Sequence, residues 1–229
     1  MTQHAFSGRL EALVLDFDGT LAELNIDFTD MKRRLSALAE AYLGDAPPSD
    51  GLPALEWIEQ LIVLIAEVEG RDTALEFGTR ARFLVMDMEL AAARKGGLFP
   101  FARPSLADLR ARGLRTAIIT RNCTAAVRIV FPDVRDAVDC FLAREDVSRP
   151  KPDPAHPAAA LKALGVSPGR ALMVGDHTLD IATGLCAGMP AAGVATGRIP
   201  EVELASAGAL FTAPDLPALL ARLAADGLL

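Results

Sequence analysis

The chain has 229 residues, 51% of them hydrophobic, and a mean hydropathy of +0.28, which is enough apolar material for a large core and too much for intrinsic disorder. Lysine and arginine number 23 against 30 aspartates and glutamates, a formal charge of -7 that argues against a general binder of nucleic acid or anionic membrane. No stretch approaches the roughly 20 uncharged apolar residues of a membrane span.

The opening MTQHAFSGRLEALVLDFD, with Glu11 interrupting its apolar run, lacks the basic-then-apolar order of a signal peptide. Cys123, Cys140 and Cys186 are widely spaced in apolar surroundings, so they are expected to be free, buried thiols of a cytoplasmic protein.

The first predicted element is the strand ALVLDF, and it raises a question of charge. In LVLDFDGT, strand periodicity puts Asp16 and Asp18 on one face with Cα atoms roughly 6 to 7 Å apart. Two carboxylates held that close are costly unless a cation lies between them.

From about Leu24 to Gly97 only helical periodicity remains. Met31, Leu35, Leu38 and Tyr42 form one stripe, and Leu55, Ile58, Leu61, Ile62, Ile65 and Val68 form a second. A third helix is expected from about Asp72 to Lys95. LGDAPPSDGLP and EGRD are the breaks, and KGGLFPFARP is the return linker. The apolar LEWIEQLIVLIAEV suits either the core of this helical block or a homodimer face, so monomer and homodimer both stay open.

Short apolar runs then resume, each followed by helix-like sequence: RTAIIT, CFLA, ALMVGD, AAGVA and ALF. Such alternation predicts an α/β fold, a Rossmann-like doubly wound parallel sheet covered by helices on both faces. The helical block would be an inserted all-helical domain, residues 23–97, within a core formed by 1–22 and 98–229.

Ligands of such sheets bind beyond the carboxyl ends of the strands. Those ends collect Asp16 and Asp18, then Thr120, Arg121 and Asn122, then Gly175 and Asp176 with Asp180 one helical turn on. Lys151 lies between them, its backbone restrained by Pro150 and Pro152. Together these residue types suit phosphoryl transfer. A carboxylate can attack phosphorus and form an aspartyl phosphate, while Mg²⁺, a lysine, a hydroxyl and strand-end amides neutralise the phosphoryl oxygens. Asp16 and Asp176 suit the sparse coordination that magnesium favours. On this reading Asp16 attacks, Asp18 moves protons, and the cation makes their proximity tolerable.

The chain resembles the haloacid dehalogenase-like phosphohydrolase superfamily. Its four motifs match DFDGT at 16–20, Thr120, Lys151 and GDHTLD at 175–180, in order and across the whole chain. The resemblance implies that Asp16 is the nucleophile and Asp18 the acid/base, with its backbone carbonyl on Mg²⁺. It further implies that Thr120 and Lys151 bind phosphate, that Asp176 ligates the metal and that Asp180 supports the metal's shell; Arg121, at the same strand end as Thr120, is a further phosphate-binding candidate. The helical block is similar to the cap of the phosphoglycolate phosphatase-like branch. The implied activity is hydrolysis of a small phosphorylated metabolite, phosphoglycolate-like in character, with no nucleic-acid or membrane partner.

Asp18 argues against dehalogenases and P-type ATPases, which resemble this chain but lack an acid there. A sugar-phosphate mutase of the β-phosphoglucomutase type keeps that acid. Such mutases usually carry a histidine just after the first motif, where this chain reads LAELNIDF. A phosphoacceptor signalling or regulatory protein on the same fold is the third reading, although receiver domains are about half this length and lack the insertion. Arg80, Arg82, Arg94 and Lys95 are the candidates for substrate specificity. The histidines are His4, His156 and His177, of which His177 is expected at the site's edge.

Overall fold

Ala12, Leu13, Val14 and Leu15 are fully shielded from solvent, as a continuous apolar run must be when a strand is covered on both faces. They form β1 (Ala12–Leu15) in the computed structural model, which describes residues 8–229; His4 and the rest of the first seven positions lie outside the described residues. The elements that follow are β2 (Ala22–Glu23), α1 (Phe28–Leu43), α2 (Ala54–Glu69), α3 (Arg71–Ala93), β3 (Gly97–Leu98) and α4 (Ala102–Ala111). Next come β4 (Arg115–Ile119), α5 (Thr124–Val130), α6 (Val134–Ala137), β5 (Cys140–Leu142), α7 (Ala155–Leu164) and β6 (Ala171–Gly175). The chain closes with α8 (Thr178–Cys186), β7 (Ala191–Val194), α9 (Glu201–Ser206), β8 (Phe211–Ala213) and α10 (Leu216–Ala225).

Six strands form one sheet in the order β5-β4-β1-β6-β7-β8, and every pairing is parallel. Renumbered within the sheet this is the 3-2-1-4-5-6 order of the Rossmann fold, so the expected α/β class is observed. The switch point, where successive connections turn to opposite sides, lies between β1 and β6. Val14, Ala117, Ile119, Met173, Ile181 and Ala191 build the core on one side of these strands.

Two compact units are present. Asn25–Ala92 forms one and the sheet with its helices the other. In the helical unit Met31, Leu35 and Ala39 are the buried stripe of α1, whose first turn is capped by the Asp27 carboxylate accepting from the Asp30 N–H. Leu38 and Tyr42 are half-buried, and Tyr42 stands edge-on to Phe77 with centroids 5.5 Å apart. On α2 the buried residues are Ala54, Trp57, Ile58, Leu61 and Ile65. Val68, expected on that stripe, is 61% exposed; it sits in the last turn, with no further turn of α2 to extend the packed face.

Three other details differ from expectation. The return linker contains β3, which pairs antiparallel with β2 in the sheet unit. The last strand is Phe211–Ala213, which begins at the last residue of the ALF run and ends two residues past it, because Phe211, Thr212 and Ala213 carry the ladder to Ala192, Gly193 and Val194. The thiols are all free, but only Cys123 is buried; Cys140 is half-buried, and Cys186 is exposed because it ends α8 on the solvent side. No helix among the described residues is long and apolar enough to cross a membrane.

Candidate active site

The Asp16 N–H continues the sheet ladder by donating to the Val174 carbonyl at 2.9 Å, which fixes this carboxylate at the end of β1, beside β6. The chain then turns sharply: the N–H groups of Leu21 and Ala22 both donate to the Phe17 carbonyl, at 2.8 and 3.0 Å. Gly19 takes φ +87°, and a Cβ there would run into the Asp176 carboxylate, so glycine answers both demands.

Asp176 follows β6, and Asp180 follows one turn into α8. His177 caps that helix, its Nδ1 accepting from the Leu179 N–H at 3.1 Å, while Asp180 Oδ2 accepts from the His177 N–H at 3.1 Å. A side chain at Gly175 would occupy the space of the Asp180 side chain, so glycine lets that carboxylate fold back toward the strand end.

Lys151 reaches this group from the loop after β5. Its Nζ lies 2.5 Å from Asp16 Oδ1 and 2.6 Å from Asp180 Oδ1, and its side chain is only 2% exposed. Asp16, Asp176 and Asp180 each bring an oxygen within 4.8 Å of the others. The Thr20 hydroxyl is 3.4 Å from Asp176 Oδ1.

The electrostatics follow from three buried carboxylates around one ammonium. Burial, and next the charge of Asp180, push Asp16 up to about 7 although Lys151 pulls it down. Burial, then Asp16 and Asp180, push Asp176 up to about 8. Burial pulls Lys151 down, but Asp16 and Asp180 outweigh it and hold its pKa above the ordinary lysine value. The cluster fits a hard divalent cation. Its donors are all carboxylate oxygens, and with all three ionised, three negative charges against one positive leave an excess of two for a cation to offset. Glycine at 197 keeps space open on the far side of Asp176, since a Cβ there would overlap its Oδ2.

The other sequence-predicted residues are not members of the three-acid group. Thr120 is buried at the end of β4, its hydroxyl donating to Asn122 Oδ1 at 2.9 Å and accepting from the Asn122 N–H at 3.1 Å. Arg121 Nη1 donates to the Lys151 carbonyl at 2.8 Å. The Asp18 carboxylate is separate from the three-acid group, and its Oδ1 accepts from the Leu24 N–H at 2.9 Å. Arg80 and Arg82 form exposed pairs with Glu76 and Glu59, each at 2.7 Å, and Arg94 and Lys95 are exposed. Thr196 and Gly197 stand beside Gly19 and Asp176 without belonging to any of the four motifs. They follow β7, where the Thr196 hydroxyl donates to the Gly19 carbonyl. The strand-end rule that collected Asp16 and Asp176 selects them when applied to AAGVA.

A Rossmann-ordered sheet with a lysine-bridged acidic centre at its switch point defines a class of hydrolase. The sequence profile of haloacid dehalogenase-like hydrolases matches residues 10–188, and the chain belongs to that family. It is 31% identical to a phosphoglycolate phosphatase of Rhodospirillum rubrum over 91% of this chain and 89% of that protein. A plasmid-borne phosphoglycolate phosphatase of Cupriavidus necator is 26% identical over 93% of this chain and 95% of its own length. In fold, a hydrolase from Pseudomonas syringae superposes with a TM-score of 0.68 at 21% identity, covering 94% of this chain and 98% of that one.

Proposed function

We propose that this hydrolase is a magnesium-dependent phosphatase that cleaves a small phosphate monoester through an aspartyl phosphate on Asp16. The observation that carries the reading is the single Lys151 ammonium shared between Asp16 and Asp180 beside Asp176. A buried lysine so placed can hold Asp16 as a nucleophile and meet an incoming phosphoryl oxygen. Asp16, Asp176 and the Asp18 backbone carbonyl would hold magnesium, with Asp180 supporting from behind. When bound, the ion supplies the two positive charges that keep the carboxylates ionised and neutralise phosphoryl oxygens.

The remaining steps belong to the chain's own residues. Asp16 attacks phosphorus, the bond to the ester oxygen breaks, and Asp18 delivers a proton to the departing alcohol. Asp18 then takes a proton from water, which attacks the same phosphorus, releasing inorganic phosphate and freeing Asp16. Thr120, its hydroxyl oriented by Asn122, and Arg121 serve the phosphoryl group with Lys151.

The relatives' names make a short acidic phosphate such as phosphoglycolate the first substrate to test. The helical insertion directly after the Asp16 strand is assigned the part of a cap, residues 23–97 against a core of 1–22 and 98–229. Three free thiols support a cytoplasmic location. The test is a panel of phosphorylated metabolites with Mg²⁺, read by phosphate release and by acid-quench trapping of labelled phosphate on wild type and Asp16→Asn. Phosphate release with label lost in the variant is expected. Net conversion of one sugar-phosphate isomer into another would make the protein a mutase, and stable labelling without turnover would make it a phosphoacceptor.

A further inference from the structure

We infer that His156 is a positioning residue for Lys151, setting the lysine's main chain so that its ammonium reaches Asp16. This rests on the phosphatase reading above, which gives Lys151 its role.

Lysine is a compact charge on a flexible four-carbon stem, so the aim of its ammonium depends on where its backbone is held. Residue 151 lies in neither helix nor strand, in the irregular stretch between β5 and α7. Both of its own peptide groups are nonetheless engaged by side chains. The Lys151 N–H donates to His156 Nδ1 at 3.0 Å, and the Lys151 carbonyl accepts from Arg121 Nη1 at 2.8 Å. Pro150 and Pro152 bring no N–H of their own, so the Lys151 N–H is the one backbone donor of this tripeptide. Left unmade, a buried bond of this kind strands a donor with neither water nor partner, which is costly.

His156 itself is completely buried in the first turn of α7. Its other nitrogen, Nε2, lies 3.2 Å from the carbonyl of Leu142, the last residue of β5. The two partners fix the tautomer: an amide N–H can only donate and a carbonyl can only accept, so Nε2 carries the proton and Nδ1 is bare. The imidazole therefore ties the loop of Lys151 to the end of a core strand. Burial, followed by the nearby charge of Lys151, holds its pKa down at about 4, which keeps Nδ1 an acceptor. With both nitrogens committed, His156 has no atom left for substrate, and its influence on the reaction passes through Lys151.

Two substitutions separate positioning from bulk packing. Asparagine at 156 can present its oxygen where Nδ1 stood and keep the bond from Lys151, while giving up Leu142. Glutamine reaches the Nε2 position and keeps the bond to Leu142, while giving up Lys151. Each loses one hydrogen bond, so a purely structural role lowers the melting temperatures of His156→Asn and His156→Gln alike and ranks their activities alike. The positioning role predicts kcat/KM on p-nitrophenyl phosphate within about 3-fold of wild type for His156→Asn. For His156→Gln it predicts a loss on the order of 10- to 100-fold, with a matching rise in the inhibition constant of inorganic phosphate, since small misplacements in an active site cost factors of that size.

Lys151→Met is the reference: if it leaves both readouts at wild-type values, the phosphatase reading of Lys151 fails. If Lys151→Met is impaired and the two His156 variants are equal, the positioning inference fails alone. Nitrogen NMR of the wild-type imidazole needs no variant to fold; a bare Nδ1 with a protonated Nε2 is expected, and the opposite tautomer overturns the inference.

Discussion

Removing divalent metal should make the protein lose stability as the pH rises, in a narrow and calculable window. Asp176 is raised from 3.8 to about 8 and Asp16 from 3.8 to about 7 in the metal-free centre. A carboxyl whose folded pKa is raised stabilises the fold while it is protonated, and that contribution disappears as pH climbs through the folded value. His156 acts in the opposite sense. Its pKa falls from 6.5 to about 4 on folding, so its contribution is complete above pH 6.5 and is lost as the pH falls toward 4. Above pH 6.5 the slope is carried by Asp176 and Asp16. From there to pH 8, Asp176 contributes 1.5 units and Asp16 half a unit, and at 1.36 kcal/mol per unit the loss is about 3 kcal/mol. For a chain of this size that corresponds to a fall in melting temperature on the order of 6–12 °C. Saturating Mg²⁺ should abolish the slope, so its stabilising effect is larger at pH 8 than at pH 6.5 by the same amount. Calorimetry in EDTA and in MgCl₂ is the assay. Tryptophan fluorescence would mislead, because Trp57 is the only tryptophan and sits in α2 of the helical unit. Asp176→Asn should remove most of the slope. A melting temperature in EDTA that stays flat from pH 6.5 to 8, or a magnesium effect equal at both, refutes the reasoning.

Asp16→Asn should cost at least on the order of 10³-fold in kcat, because an amide cannot form the acyl phosphate, and rapid-quench trapping should find no phosphoenzyme. Asp18→Asn should lose roughly 10²- to 10⁴-fold, more for an alkyl phosphate than for p-nitrophenyl phosphate, whose leaving group needs no proton. Gly197→Ala pushes a methyl into Asp176 Oδ2 and should raise the Mg²⁺ concentration for half-maximal activity by about 10-fold or more, measured by metal titration. Chelation should abolish phosphate release, and Ca²⁺ should not restore it, because its larger, looser shell suits a different geometry.

What the sequence revealed and what it hid follow from the range of the forces involved. The central strands were legible because parallel strands buried on both faces must be continuous apolar runs, and ALVL and ALMVG are buried at every position. Asp16 and Asp176 were legible for the same reason, each directly following such a run. Strand parity gave Asp16 and Asp18 one face, yet β1 ends at Leu15 before either is reached, the chain turns at Phe17, and the Asp18 carboxylate accepts from the Leu24 N–H. The acids that crowd Asp16 come from β6 and α8, more than a hundred residues away, and a two-residue periodicity has no access to them. Two-residue strands such as β2 and β3 carry too few side chains to show any period at all. His156 was the least legible, because AHPAAAL reads as an apolar helix start in which a lone histidine is unremarkable. Its meaning depends on two backbone atoms, the N–H of Lys151 and the carbonyl of Leu142, and backbone atoms leave no mark in the residue types of a sequence. The strand ends therefore mark the candidate site, while the contacts that hold the Lys151 main chain emerge only once β5 and α7 are folded against each other.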